Sequence, residues 1–157
     1  MAVQPRVIFT RFSSVESLEF RPWLDHLARV LGSKAFPAVA VSDPTVWQLV
    51  SANNRELARS VELFDGFRSA HDAAAKSVGA LPRAEIRPVV DERQGQYGWY
   101  LSTDGIPDVA CSRWYLADRE RNQSVSLAVA ALAEAKMTEG ARLVVERAQK
   151  GQVENVR

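Results

Sequence analysis

A single cysteine, Cys111, stands among 157 residues, so no disulfide can form within the chain and a reducing cytoplasm is the natural setting. Charge of one sign is also missing. Lys+Arg total 20 against 19 Asp+Glu, a net charge of +1, which argues against a dedicated nucleic-acid binder whose affinity rests on surplus positive charge. No apolar run approaches the length of a bilayer span, and Arg6 and Arg11 break any signal-peptide layout over residues 1–12. There are only two histidines, and neither has a second His or Cys at ligand spacing, which excludes an ordinary zinc motif. His26 adjoins Asp25 and His71 adjoins Asp72, but sequence neighbours point to different sides of a helix, so neither pair is an acid–base dyad. Gly95, Gly98 and Gly105 match neither the phosphate-loop nor the dinucleotide spacing, and the nucleophile-elbow and His-Glu-x-x-His patterns are absent. Cys111 sits between Ala110 and Ser112 with no base beside it, the setting of a buried, inert thiol. No catalytic, cofactor-binding or metal-ligating residues are therefore expected.

What is present is an ordinary globular composition, 46% hydrophobic and 25% charged, sized for one domain or two very small ones. Sixteen arginines against four lysines reflect a GC-rich, bacterial coding bias rather than a demand for guanidinium groups. Val7, Ile8, Phe9 and Phe12 favour a strand by their β-branched and aromatic content. A helix follows, with Pro22 in its first turn, Leu24, Leu27 and Leu31 as an apolar stripe, and Gly32 as its stop.

The rest of the chain reads as a repeat. Aligned without a gap, Trp47 meets Trp99, Leu49 meets Leu101, Leu57 meets Val109, Ala58 meets Ala110 and Ser60 meets Ser112. Asn53-Asn54 and Asp104-Gly105 supply residues that tolerate positive φ, so each copy is strand, turn, strand. A helix follows each hairpin. In the first, Ser69 and Asp72 resemble a capping box, and Ala70, Ala74, Val78 and Leu81 line one face. In the second, Asp118 is placed to cap, with Val125, Ala128, Val129 and Leu132 as the stripe. The helices align best one residue out of step with the hairpins, which implies a one-residue deletion in the loop between strand and helix. An extra strand is expected before each hairpin, at residues 37–42 and 84–90.

These residues resemble a family. Its pattern, Phe-x-Leu-x-x-x-Asn-Gly-x-x-Ile-Ala-x-Ser followed by an aromatic and a helix of small residues, resembles residues 47–60 with 64–78, and 99–112 with 115–129. That is the pattern of the YegP-like domains of small bacterial and archaeal proteins of unknown function, in the tandem form. The resemblance covers residues 36–135 and carries no catalytic residues with it. Asn53-Asn54 departs from Asn-Gly, and Pro107 must occupy a turn or an edge of the second hairpin. The implied fold is α+β: tandem β-β-β-α repeats at 36–83 and 84–135 forming antiparallel sheet with helices packed on one side. A strand–helix extension at 1–35 and a charged tail at 136–157 complete the chain. In the tail, the apolar cluster Leu143-Val144-Val145 is placed to add a short helix or an edge strand.

The aromatics of the second hairpin are the candidate site. Alternation predicts that one of Trp99 and Tyr100, and one of Trp114 and Tyr115, faces outward, near Arg113, Arg119 and Arg121. The competing expectation is that the helix carrying Leu24, Leu27 and Leu31 covers that face. The leading functional expectation is a non-enzymatic domain that binds a protein partner or itself through Trp99, Tyr100, Arg113, Trp114, Tyr115 and Arg119. The alternative is a nucleic-acid-binding module built on the same aromatic and arginine side chains. A third is a small-ligand binder or enzyme.

Overall fold

The computed structural model describes residues 4–32 and 44–144. Strand β1 (Arg6–Phe12) leads into helix α1 (Arg21–Leu31), which carries Pro22 at its start and stops at Gly32, whose φ of 59° suits glycine. Strands β2 (Pro44–Val50) and β3 (Glu56–Ser60) form the first hairpin, followed by the short β4 (Phe64–Asp65) and helix α2 (Phe67–Gly79). Strand β5 (Glu85–Asp91) precedes the second hairpin, β6 (Gln96–Thr103) and β7 (Ile106–Cys111), and helix α3 (Asp118–Glu134) follows it. Two short strands, β8 (Lys136–Met137) and β9 (Arg142–Val144), close the described chain. The expected strand at residues 37–42 lies outside the described residues.

All nine strands join one sheet in the order β5-β6-β7-β3-β2-β1-β8, with β4 also paired to β2 and β9 to β1. The class is α+β. The sheet is mixed rather than wholly antiparallel, because β8 and β9 run parallel to β1. The tail thus supplies edge strands, anchored where Lys136 N–H donates to Pro5 O at 2.9 Å and Thr138 N–H to Val7 O at 3.0 Å.

The hairpins abut at the centre of the sheet, where Arg59 of β3 pairs with Ala110 of β7. On the outer sides, β1 lies along β2 and β5 along β6. Both hairpins break register at corresponding points. Leu49 faces Ala58 and then Val50 faces Glu56, which leaves Leu57 as the extra residue. Leu101 faces Val109 and then Ser102 faces Pro107, which leaves Asp108 extra. Pro107 thus sits at the bulge, beyond the stretch of β7 paired to β3. Further along, Thr45 pairs with Phe64 and Tyr97 with Tyr115, and a helix begins shortly after each pair.

This register moves the one-residue difference between the hairpins. It lies in the turn, not between strand and helix. In the first hairpin Ser51 N–H donates to Arg55 O at 2.8 Å around a three-residue loop, with Asn54 at φ 68°. In the second, Thr103 pairs with Ile106 around Asp104 and Gly105 alone, at φ 52° and 82°. Leu101 therefore stands opposite Val109, not Ala110, and the gapless match of Ala58 with Ala110 and Ser60 with Ser112 slips by one. Backbone bonding agrees: Trp47 N–H donates to Ser60 Oγ at 3.2 Å, and Trp99 N–H donates to Cys111 Sγ at 3.4 Å. Cys111 is the counterpart of Ser60.

Cross-strand partners share a face. Followed across the sheet, Phe9, Trp47, Leu49, Ala58, Ser60, Val109, Leu101 and Trp99 look one way. Helices α2 and α3 cover that face: Phe67 meets Phe9 edge-on at 5.0 Å, and the Trp99 indole N–H donates to Ser124 Oγ at 3.0 Å. Helix α1 covers the other. Its Trp23 lies 6.5 Å from Phe12 and 4.2 Å beneath the Arg59 guanidinium. The stripe residues Leu27 and Leu31 are buried there with Trp23 and Val30, and Leu24 is partly buried.

Two expected caps are not used. Helix α2 starts before Ser69, with Gly66 at its N-cap and no side-chain cap, so Ser69 and Asp72 are exposed helical residues. Helix α3 is capped by the Ala117 position, which leaves Asp118 inside the first turn, where its charge still favours the positive end of the helix dipole.

Candidate binding grooves

Both Trp99 and Tyr100 are buried. Alternation sends them to opposite faces, as expected, but helices cover both faces at β6, so neither looks outward. Strand β7 ends at Cys111, and Trp114 and Tyr115 lie beyond it. Trp114 rests on Gly98, where an added Cβ would come within 3.0 Å of the indole ring. Its outer side is held by α1: the Arg29 guanidinium lies 4.1 Å from the ring centre, ion-pairs with Asp91 at 2.7 Å and bonds to Gln96. Arg121 is buried, donating to Gly98 O at 3.2 Å and Val89 O at 3.4 Å, so it pins α3 to the sheet rather than serving a surface.

The remaining candidates do meet. Arg113, Trp114 and Tyr115 line a groove of about 450 Å³ between the first hairpin's turn and the start of α3. Its apolar walls are Leu57, Leu116 and Leu127, and Leu116 and Leu127 are 77% and 59% exposed. Arg55, Arg113, Glu56 and Glu120 form the rim. Glu56 is already engaged by Arg59 through two bonds of 2.9 Å, which leaves the rim cationic in balance. The floor is rigid: Tyr115 Oη donates to Ser124 Oγ at 2.8 Å, the oxygen that also accepts from Trp99. Arg119 is exposed in the adjoining shallow groove with Asn122 and Ala130. Sequence reading missed Leu57, Leu116 and Leu127. The signal was Leu127, an apolar residue off the Val125–Ala128–Leu132 stripe.

A second groove occupies the corresponding place between the second hairpin's turn and α2, with a volume of about 270 Å³. Asp108 stands where Leu57 stands in the first groove, both being the extra residue of a bulge. By the helix alignment, Lys76 and Ser77 correspond to Leu127 and Ala128. Burial raises the Asp108 carboxyl above the usual range, although Ser77 Oγ donates to Oδ2 at 2.9 Å and Thr103 Oγ1 at 3.4 Å. The other oxygen, Oδ1, is buried without a hydrogen-bond partner.

The two histidines and the cysteine pack into the fold. His26 Nε2 bonds to Cys111 O at 2.8 Å, and burial lowers the ring's proton affinity. His71 packs against Phe9 and Phe67. Burial pushes the Cys111 thiol up to about 11, which makes it a poor nucleophile. Among the described residues no group of three His, Cys, Asp or Glu is placed to hold a metal ion, and no helix is long and apolar enough to cross a membrane.

No protein-family model and no curated protein matches the sequence. The architecture does have a solved counterpart. The solution NMR structure of yegP from E. coli, a protein of unknown function, superposes with a TM-score of 0.54, covering 92% of this chain and 97% of that one at 13% identity. The fold is YegP-like. At that identity the likeness is one of backbone path alone.

Proposed function

We propose that the chain is a tandem pair of YegP-like units, one built on each hairpin, and that it works as a non-enzymatic binding module. Support for the duplication comes from register: the matched bulges, the pairs Thr45–Phe64 and Tyr97–Tyr115, and the equivalent bonds to Ser60 and Cys111. Strand β1 fills beside β2 the place that β5 fills beside β6. A cytoplasmic setting fits the single unpaired thiol.

The binding surface is the groove of Leu57, Tyr115, Leu116 and Leu127, and its occupant is an acidic, apolar segment of a partner protein. The observation that carries this reading is the pair of leucines left exposed beside Arg55 and Arg113. Self-association through the open strand β5 is disfavoured, because Pro88 and the exposed Glu85 and Arg87 interrupt its free edge. Selection from a random peptide library tests the assignment. Peptides alternating Asp or Glu with apolar residues should be enriched, Leu127→Ala should weaken them about tenfold, a loss of ~1.4 kcal/mol, and Arg113→Glu should invert the charge preference. Enrichment that ignores both substitutions, or tight single-strand RNA binding with steep salt dependence, would reject it.

A further inference from the structure

We propose that the groove around Asp108 is a second, separate ligand site, which takes a small primary ammonium compound with an apolar body and seats the ammonium on Asp108 Oδ1. The architecture does not require a carboxylate here. The equivalent bulge position is Leu57, and by the helix alignment the place of Ser77, which bonds to Asp108, is held by Ala128. The fold is therefore satisfied by an apolar pair at one place and carries a polar pair at the other. A polar pair that only replaced packing would close on itself. This one does not: Ser77 and Thr103 both address Oδ2, the backbone N–H groups of Asp108 and Val109 lie near the carboxylate, and Oδ1 is still buried without a well-formed hydrogen bond. An acceptor in that state is costly unless something donates to it.

The groove around it defines the donor. Its charged lining is Glu62, Lys76, Arg83, Asp104 and Asp108, three acids against two bases. Arg83 lies 3.7 Å from Asp104, and the lining as a whole carries one net negative charge. That balance favours a cation. A metal ion would need more ligands than this site assembles. An ammonium needs one strong acceptor, and the walls of Phe64, Ile106 and Pro107 suit an apolar or aromatic body beside it.

The test is a titration of the isotope-labelled full chain with 2-phenylethylamine, 2-phenylethanol and 3-phenylpropionate, followed by amide chemical shifts. The amine should give saturable shifts centred on Thr103, Asp108 and Ser77, and the alcohol and the acid should not. Asp108→Asn should weaken the amine at least tenfold. The double variant Ser77→Ala/Asp108→Leu, which copies the other groove, should melt at or above the wild type and bind no amine. Affinity should fall as pH drops and Asp108 takes up a proton. Equal binding of the alcohol, retention of amine binding in Asp108→Asn, or no saturable shift up to on the order of 10 mM would overturn the proposal. None of these results depends on the peptide groove, whose residues are untouched by the variants.

Discussion

The two grooves occupy corresponding places on one sheet and differ in every side chain that decides chemistry. One presents Leu57, Leu116 and Leu127 under an arginine rim, and the other presents Asp108, Ser77 and Lys76. A bulge next to a tight turn leaves one residue outside the ladder in each hairpin. That extra residue is leucine in one hairpin and aspartate in the other. Positions inside the ladder show the opposite behaviour: Ser60 and Cys111 differ in element, yet each accepts the same backbone N–H bond. The two bulges thus carry side chains of opposite polarity, while the backbone bonds to Ser60 and Cys111 are alike.

The sharpest break of the comparison is at Gly98. Its counterpart in β2 is the fully buried Val46, but over Gly98 lies Trp114, which an added Cβ would meet at 3.0 Å, a tight contact. Gly98→Ala should cost about 1 kcal/mol, measured by denaturant unfolding, because the indole held by Arg29 and the Cys111 Sγ must both give by a small fraction of an ångström. Pairing the change with Trp114→Leu, the residue that Leu63 supplies in the first hairpin, should recover part of that loss. An unchanged midpoint in Gly98→Ala would refute the close packing of Trp114.

A smaller effect separates Asp108 from Leu57 in the unliganded protein. Burial raises the carboxyl's proton affinity in the folded state. Stability is therefore fully present below the ordinary aspartate range and is lost as pH rises through the raised value. Asp108→Asn, which still accepts from Ser77, should melt above the wild type at neutral pH and no higher at about pH 3. Thermal melts across that range check it. A variant that melts lower at neutral pH would mean that the charged bonds to Ser77 and Thr103 outweigh desolvation.

The smallest effect is expected at Cys111. Ser60 accepts from Trp47 N–H and donates to Glu62 O at 3.0 Å, so a serine at 111 finds a ready pattern. Cys111→Ser should change stability by less than about 1 kcal/mol in denaturant unfolding. The native thiol should resist alkylation near neutral pH, since burial holds it protonated, with its affinity near 11. Rapid labelling of folded protein would contradict the burial.

Sequence alone determined the elements whose causes are local. Asn54, Asp104 and Gly105 take the positive φ that the turns need, the β-branched and aromatic runs became β1, β2, β6 and β7, and Gly32 ended α1. The α+β class and the hairpin positions followed from those signals. Tertiary structure alone decided the register, because a one-residue difference in turn length is invisible in a gapless match yet shifts every partner on β7. It also decided which aromatics are covered. Helix α1 crosses to the second face of the sheet, so Tyr100 is buried and Trp114 clamped, while the groove opens where α1 does not reach. Residues as far apart as Leu57 and Leu127 form one surface only when the hairpins pair at the centre of the sheet. Local propensity acts over a few residues. Coverage depends on which distant surfaces exclude water from one another, and no short stretch of this chain encodes that.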